Sequence, residues 1–577
     1  MHRRLIISLT VSGLLFALGS MAYGADSADT SYLNANPKSL EWFRDARFGM
    51  FVHWGPVTLT GQELSWSRGG FRRGFPDADP LSNSELSGIP VDVYDNLYKR
   101  FNPVKFDASK WVKTMKSAGM KYFVFTTKHH DGFSMFDSKY TDYDIMSSPY
   151  GKDICKQLAD ACHANGIKLG WYYSPTDWHH PDFFTENHYR YISYFRNQIR
   201  EILTSYGKID VMWFDGLNAT QEQMDSINLY KMIRKLQPGI LINNRLAPFP
   251  GDFDTPEQKI GNFGSQRPWE SCITIGTQWS WKPNDNIKSI NECINSLVLC
   301  AGGDGNLLLN ISPKPDGSIE LKQTKCLKEI GKWLRRHGES IYGTRGGPLL
   351  MGTKGTSTYK GNRIYIHILD ATYDEIKLPV LPANIKRCSV LGDGSVSYSQ
   401  NSDGGDIKIL KHSRDGIDTI VVLDMDKPAS TIKLTRVVRE ALSTDKPAQA
   451  STTYSGAEAT YGPDKAFDDN TSTRWATNWN ITSSWLEVDL ESIETFNQIK
   501  ISEFLGRVRE FELQCRNTTS DEWRVFHKGT TIGEGFKLDI DPMTARYVRL
   551  NIIKSADMIG GPTIWEFQVI NTAKSMN

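Results

Sequence analysis

Val211-Met212-Trp213-Phe214-Asp215-Gly216 is an apolar run that ends on a carboxylate. Its β-branched and aromatic residues read as a buried strand, with Asp215 at the C-terminal tip. Trp213 stands two residues before Asp215 and shares its face. Similar runs recur at 48–54, 122–127, 168–174, 240–244 and 306–311. Amphipathic helical stretches lie between several of them, at 153–165, 189–206 and 221–237, with Asn165-Gly166 and Pro238-Gly239 as stop signals. Such alternation over about 300 residues predicts a parallel sheet closed as a (β/α)8-like barrel. A doubly wound open sheet is the competing arrangement, but no glycine-rich phosphate loop follows the first strand. In a barrel the strand tips face the mouth where ligands bind. Asp215 is then a mouth residue; the plain alternative is a helix N-cap.

Outward from this core the pattern changes twice. Residues 347–440 carry short alternating runs at 363–369, 375–378, 407–410 and 419–423, divided by turns such as Asp403-Gly404-Gly405-Asp406. They predict a small antiparallel β-sandwich. A polar stretch at 441–453 reads as a linker, and a further all-β region follows, with strands at 485–490, 498–503, 510–515 and 546–552. The expected fold class is α/β plus all-β: a barrel over 26–345, a β-sandwich over 346–440 and a second β-domain over 441–577.

The N-terminus has export grammar. Met1-His2-Arg3-Arg4 is basic, 5–18 is apolar but too short to span a bilayer, and small residues follow at Ala22, Gly24 and Ala25. Residues 1–25 are expected to be a signal peptide, giving an exported periplasmic or extracellular protein without a membrane anchor. The chain has 67 Lys plus Arg against 66 Asp plus Glu, a net charge of +1, which argues against nucleic acid as a partner. Eight cysteines form no CxxC pair and are expected as buried free thiols.

Glu257 closes Gly251-Asp252-Phe253-Asp254-Thr255-Pro256-Glu257. Two carboxylates flanking a sugar are the usual machinery of glycoside hydrolysis. Held against Phe253 or Trp269, Glu257 would have a raised pKa and suit a general acid. Glu270, in Pro268-Trp269-Glu270-Ser271, competes for the same role. His129 and His130 follow the strand at 122–127, and His53 ends the strand at 48–54. Three such imidazoles suit either a metal or sugar hydroxyls; no helix-borne HExxH motif supports the metal. Arg245 ends Ile242-Asn243-Asn244-Arg245 and reaches either the pocket or a surface salt bridge. Gly302-Gly303-Asp304-Gly305-Asn306 lacks the Lys-Ser/Thr of a phosphate loop and reads as a tight turn.

Taken in order, five runs resemble the α-L-fucosidases of glycoside hydrolase family 29. They are Trp42-Phe43-Arg44-Asp45-Ala46-Arg47-Phe48-Gly49-Met50-Phe51-Val52-His53-Trp54-Gly55, His129-His130-Asp131-Gly132-Phe133, Gly170-Trp171-Tyr172-Tyr173-Ser174, Trp213-Phe214-Asp215-Gly216 and 303–310. The resemblance covers about residues 38–440. It implies an exo-acting, retaining α-L-fucosidase on fucosylated glycans, with no cofactor for catalysis. Asp215 matches the family's nucleophile and Glu257 its acid/base, with Glu270 still open and Glu63 as an assistant. His53, Trp66, His129, His130, Tyr172, Trp213 and Arg245 match sugar contacts. A catalytically inactive fucosyl-glycan-binding protein is the alternative.

The C-terminal region resembles a discoidin-like module (factor 5/8 type C, carbohydrate-binding module family 32). The carrying residues are Lys465-Ala466-Phe467-Asp468-Asp469-Asn470-Thr471-Ser472-Thr473-Arg474-Trp475, Trp485-Leu486-Glu487-Val488-Asp489-Leu490 and Ala545-Arg546-Tyr547-Val548-Arg549-Leu550. The resemblance implies a structural Ca2+ near Asp468 and Asp469.

Overall fold

Seven strands form one parallel sheet: β1 (Phe48–Val52), β2 (Tyr122–Lys128), β3 (Lys168–Tyr173), β4 (Val211–Phe214), β5 (Leu241–Ile242), β6 (Glu270–Thr274) and β7 (Asn306–Ile311). Their order is β5-β4-β3-β2-β1-β7-β6, and each neighbouring pair is parallel. The structure is a computed structural model describing residues 31–74, 88–216, 219–246, 249–261, 267–392, 394–437, 441–470, 473–533, 535–556 and 560–572. The expected signal peptide, 1–25, lies outside the described residues.

The sheet curls rather than staying open. Residues 253–257 bridge its two edges: Asn243 pairs with Phe253, Asp254 with Trp269 and Glu257 with Cys272, all in parallel. This extended segment takes the place of an eighth strand and closes the barrel. It and β6 are the two pieces the hydrophobic pattern does not reveal. Pro256 interrupts the first, and β6 mixes Glu, Ser and Thr with only two apolar residues.

Period-two alternation sorts each strand. Phe51, Tyr122, Val124, Tyr172, Val211, Trp213, Leu241, Phe253, Cys272 and Leu308 pack together as the barrel interior. Met50, Phe123, Trp171, Met212, Ile273 and Leu309 pack in the layer beneath the helices. Asp215 continues the inward series of Val211 and Trp213 and therefore emerges in the mouth. Interior packing is tight: a Cβ on Gly49 would lie 2.4 Å from the Tyr122 ring.

Helices Ala108–Ser117 and Ile154–Ala164 begin at Asp107 and Asp153, whose carboxylates accept backbone N–H bonds from Lys110 and Lys156. The helix expected at 221–237 is two: Gln221–Met224 and Ser226–Leu236, joined at Asp225 with φ 48°. Asp tolerates this left-handed conformation, and its carboxylate is held by Arg196 and Asn228.

The second region has antiparallel sheets of five and three strands around Ile364, Ile366, Ile376, Ile407, Val421 and Leu423. The expected turn at 403–406 is shorter, because Gly404–Ile409 is already strand. The third region is an antiparallel sheet dominated by two 20-residue strands, Ser484–Glu503 and Phe536–Ser555, whose pairing is interrupted by register shifts. Its core includes Trp475, Leu486, Phe496, Phe511, Leu550 and Phe567. The stretch expected as a linker is built into this domain: Ala448–Ala450 pairs with the strand at 486–488, and Ser443 bonds to Phe567 and Val569. All eight cysteines are free thiols.

Candidate active site

Backbone register brings the sequence-predicted residues to one mouth. Asp215 follows β4, His53 follows β1, His129 and His130 follow β2, and Arg245 follows β5. Tyr172 and Trp213 project from β3 and β4, while Glu257 stands on the bridging segment. All of them, with Trp66, line a cavity of about 270 Å3. Asp215 is no helix N-cap; the next helix is capped by Thr220.

Arg245 links the two carboxylates. Its Nη1 lies 2.9 Å from Asp215 Oδ1 and 2.9 Å from Glu257 Oε2. Those oxygens are therefore no more than twice that distance apart. Nε and Nη2 donate to the Thr255 hydroxyl (2.8 Å) and carbonyl (3.0 Å), and the guanidinium lies 4.8 Å from the Trp213 ring centre. The arginine is thus fixed on three sides. Asp215 Oδ2 accepts a 2.7 Å bond from the Tyr172 hydroxyl. Burial acts to raise the Asp215 pKa, but Arg245, His130 and the Tyr172 hydroxyl outweigh it and hold the carboxyl below its usual range. A buried carboxylate is thereby kept ionised.

The imidazoles are held neutral. Burial brings His53 and His130 each down to about 4 and places His129 well below its ordinary value. His53 Nδ1 lies 2.8 Å from Asn310 Oδ1, His129 Nδ1 2.7 Å from Ser65 Oγ and His130 Nδ1 2.6 Å from Ser174 Oγ. Each of these neutral imidazoles has one nitrogen anchored behind the wall, and the other nitrogen of His130 lies 3.6 Å from Asp215 Oδ2.

Glu270 is elsewhere. It is fully buried inside β6, accepting hydrogen bonds from the Tyr122 hydroxyl and from Trp213 Nε1 (3.0 Å). Burial pushes it up to about 7, against the pull of those two donors. It lies beneath the cavity wall rather than on it. Glu63 is also behind the wall, where it accepts backbone N–H bonds from Trp279 (2.7 Å) and Ser280 (3.0 Å).

Four lining residues carry no site role in the sequence reading: Phe51 and Gly216, which lie within the quoted runs, and Cys272 and Trp279, which lie outside them. Phe51 was legible, being two residues before His53 in the same extended run. Trp279 sits in a long loop, and only the Trp279-Ser280-Trp281 repeat marks it.

Among the described residues, one trio of potential metal ligands converges: His129, His130 and Asp215, with ligand atoms within 4.8 Å. His53 is not part of it. The chemistry of the trio fits a metal poorly, because Asp215 already has a guanidinium as its positive partner and a phenol as its donor. Arg245 would repel a second cation.

The turn at 468–470 offers a different donor set. Thr473 Oγ1 lies 2.8 Å from both Asp468 carboxylate oxygens and 2.9 Å from the Asn470 carbonyl. Burial, aided by Asp468 and Asp469, pushes neighbouring Glu566 up to about 9, and burial brings Asp468 to about 6. Two positive charges act there: Arg436 bonds to Asp469 and the Asp468 carbonyl, and Lys465 draws the Asp468 carboxyl down. These are the oxygen donors a hard divalent cation would take, but among the described residues no three ligand groups converge at this turn. Thr471 and Ser472 lie outside the described residues.

A parallel barrel whose mouth pairs two carboxylates within a wall of aromatic rings and neutral imidazoles is built to act on a polyhydroxylated ring, and it places the chain among the barrel glycoside hydrolases. The family model described as alpha-L-fucosidase matches residues 21–339, and that of the F5/8 type C domain matches 447–567. The chain belongs to the α-L-fucosidase family, with a C-terminal discoidin-like domain. It is 36% identical to α-L-fucosidase isoenzyme 1 from Paenibacillus thiaminolyticus, with a TM-score of 0.61 over 68% of this chain and 99% of that one. A putative α-L-fucosidase from Caenorhabditis elegans is 28% identical over 324 residues, 53% of this chain and 67% of that protein. The α-L-fucosidase from Vibrio sp. strain EJY3 shares the fold over 94% of this chain and 99% of its own, with 21% identity and a TM-score of 0.67.

Proposed function

We propose that this chain is an exo-acting, retaining α-L-fucosidase that releases terminal L-fucose by double displacement. The observation that carries the reading is the shared contact of Asp215 and Glu257 with Arg245 Nη1, each at 2.9 Å. Retaining glycosidases hold their carboxyl groups about 5–5.5 Å apart, and inverting enzymes hold them wider to admit a water. Asp215, ionised and oriented by Tyr172, attacks the anomeric carbon as the bond to the leaving oxygen breaks. Glu257 gives its proton to that oxygen. The ionised Glu257 then takes a proton from water, which attacks the anomeric carbon and frees Asp215 and fucose with the original configuration.

A related α-L-fucosidase from Bacteroides thetaiotaomicron, 25% identical, has been trapped as a covalent intermediate with 2-fluoro-fucosyl fluoride. That supports the covalent route. His53, Trp66, His129, His130, Trp213 and Arg245 bind the sugar, whose methyl group packs against apolar wall such as Phe51 and Trp279. The discoidin-like module would hold a structural Ca2+ near Asp468 and Asp469, with Glu566 beside them and Arg436 on Asp469, and the protein is exported.

The test is turnover of a chromogenic α-L-fucoside, with product configuration followed by proton NMR. Wild-type protein yields fucose of retained configuration. Asp215→Asn lowers kcat by about 10⁴-fold or more while leaving a cooperative melting transition. Full activity in that variant, or no turnover of any fucoside by the wild type, overturns the reading and favours a glycan-binding role.

A further inference from the structure

Between β6 and the helix Ile290–Gly302, residues 275–289 form neither helix nor strand. Yet Trp279, in the middle of this segment, lines the cavity, with its ring 4.7 Å from His53 and 6.0 Å from Phe51. Gly276, Pro283, Asn284 and Asn286 leave the segment no apolar period that would pack it. Its order comes instead from acceptors and donors offered to its backbone. Asp285 closes the base, taking the Thr277 N–H at 3.0 Å and the Thr277 hydroxyl at 2.6 Å. The Trp279 backbone is held on both sides: Asn310 Nδ2 donates to its carbonyl at 2.8 Å, and its N–H donates to Glu63 Oε2 at 2.7 Å.

Glu63 holds more than that one N–H. Its Oε1 takes the Ser280 N–H at 3.0 Å and the Leu64 N–H at 2.8 Å. The Ser280 hydroxyl, beside the carboxylate, donates to the Gln62 carbonyl at 2.6 Å. Burial raises the Glu63 pKa against the pull of these N–H donors. Both carboxylate oxygens are engaged behind the wall, and Glu63 is not among the residues that line the cavity. Trp66, three residues on, does line it and packs against His130 at 5.4 Å and Trp178 at 5.3 Å. One carboxylate therefore ties together the two loops that carry Trp66 and Trp279.

We propose that Glu63 is a positioning residue, not a proton donor: it locks the segment 277–285 onto the loop 61–66, and it acts on the bound sugar only through the place it gives the Trp279 ring. The inference rests on the reading of the cavity as the sugar site, but the lock itself does not depend on turnover.

Backbone hydrogen exchange resolved to single amides reads the lock directly. In the wild type the Trp279 and Ser280 amides exchange more slowly than the flanking Gln278 and Trp281 amides; equal rates overturn the proposal, whether or not the protein hydrolyses fucosides. Glu63→Gln keeps the shape of the side chain but has one accepting oxygen, so at least one of the three N–H groups faces an NH2. Exchange at Trp279 or Ser280 then accelerates about tenfold or more, and unchanged rates at both overturn the proposal. A double-mutant cycle with Trp279→Ala separates action through Trp279 from a general structural role. Glu63→Gln alone raises KM for a chromogenic fucoside about three- to tenfold and leaves kcat within about twofold. In the Trp279→Ala background the same change has no further effect on kcat/KM. An equal loss in both backgrounds, or a fall in kcat that azide restores, overturns the assignment. If the wild type turns over no fucoside, the reading of the cavity fails on its own account, and the exchange rates still decide the lock. If Glu63→Gln does not fold, the wild-type rates decide it.

Discussion

Glu257 and Glu270 are 13 positions apart in sequence, yet the fold gives them opposite surroundings. Glu257 is partly exposed at the mouth beside Arg245, and Glu270 is sealed under Trp213. A proton donor must reach the leaving oxygen, so Glu257→Gly should lower kcat on poor leaving groups about 10²- to 10⁴-fold. On an activated aryl fucoside, whose leaving group departs without a proton, azide should restore the rate by attacking the fucosyl-enzyme without base help and appear in the product as a fucosyl azide. Glu270→Gln should respond differently. Its amide must turn an N–H either toward the Trp213 N–H, which can only donate, or toward the Tyr122 hydroxyl, which then gives up its own bond to this side chain, and this costs about 1–3 kcal/mol. A lowered melting temperature without azide rescue is the expected signature, and azide rescue of Glu270→Gln would reverse the two roles. The imidazoles carry their own pH dependence. His53 and His130 titrate near 4 when folded and near 6.5 when unfolded. Between those values the unfolded chain binds more protons, so stability falls as pH drops from 6.5 to 4. The kcat/KM profile should hold until about pH 4–5, because the rings stay neutral in the native state. Activity halved already at pH 6.5 would contradict this. At this scale the sequence was most informative where a strand fixed the direction of a side chain, as for Asp215 and His53. It could not separate Glu257 from Glu270, because neither lies in a run whose period assigns it a face.

Elements were legible in proportion to their apolar regularity. The six strands read from the sequence all exist, whereas β6 and the bridging segment 253–257 do not announce themselves. Their stability comes from closing the barrel rather than from local propensity, so their polar composition misleads. The helix break at Asp225 was equally hidden, since a charged residue on an exposed helical face is ordinary until Arg196 is seen to hold it. Contacts between elements are invisible to periodicity in another way. Gly331 lies inside helix Leu321–His337, where glycine is a poor choice on propensity. Its reason is a neighbouring backbone: a Cβ there would lie 1.8 Å from the Ser117 carbonyl oxygen at the end of helix Ala108–Ser117. Gly331→Ala, a favourable change in an isolated helix, should therefore destabilise the barrel by about 1–3 kcal/mol. Thermal or denaturant unfolding measures it, and KM for the chromogenic fucoside should not move. A stabilised variant would show that the two helices separate freely.

The whole molecule joins a buried mouth of neutral imidazoles to a module in which the Asp468, Asp469 and Glu566 carboxyls crowd one turn. Arg436, in the short strand Thr435–Arg436 that closes the middle sandwich, reaches across to Asp445, Asp469 and the Asp468 carbonyl. Opposite it, Glu566 is held near 9 by burial and by the Asp468 and Asp469 carboxylates. Its unfolded value is about 4.5, so between pH 4.5 and 9 the metal-free folded module binds more protons than the unfolded chain. Stability from this group is complete below 4.5 and is lost as pH rises toward 9. Chelator-treated protein should therefore show a module transition that moves to lower temperature with rising pH. Added Ca2+ binds the ionised carboxylates, so its stabilising effect should grow over the same interval. Differential scanning calorimetry with and without chelator at pH 5, 7 and 9 measures both trends. Because the fucoside cavity lies in the barrel and shares no residue with this turn, kcat on a small fucoside should not follow the module's transition. A module whose melting is indifferent to Ca2+ at pH 9 would show that Arg436 and Lys465 balance the turn, and the oxygen donors around Thr473 would then be a hydrogen-bonded corner rather than a metal site.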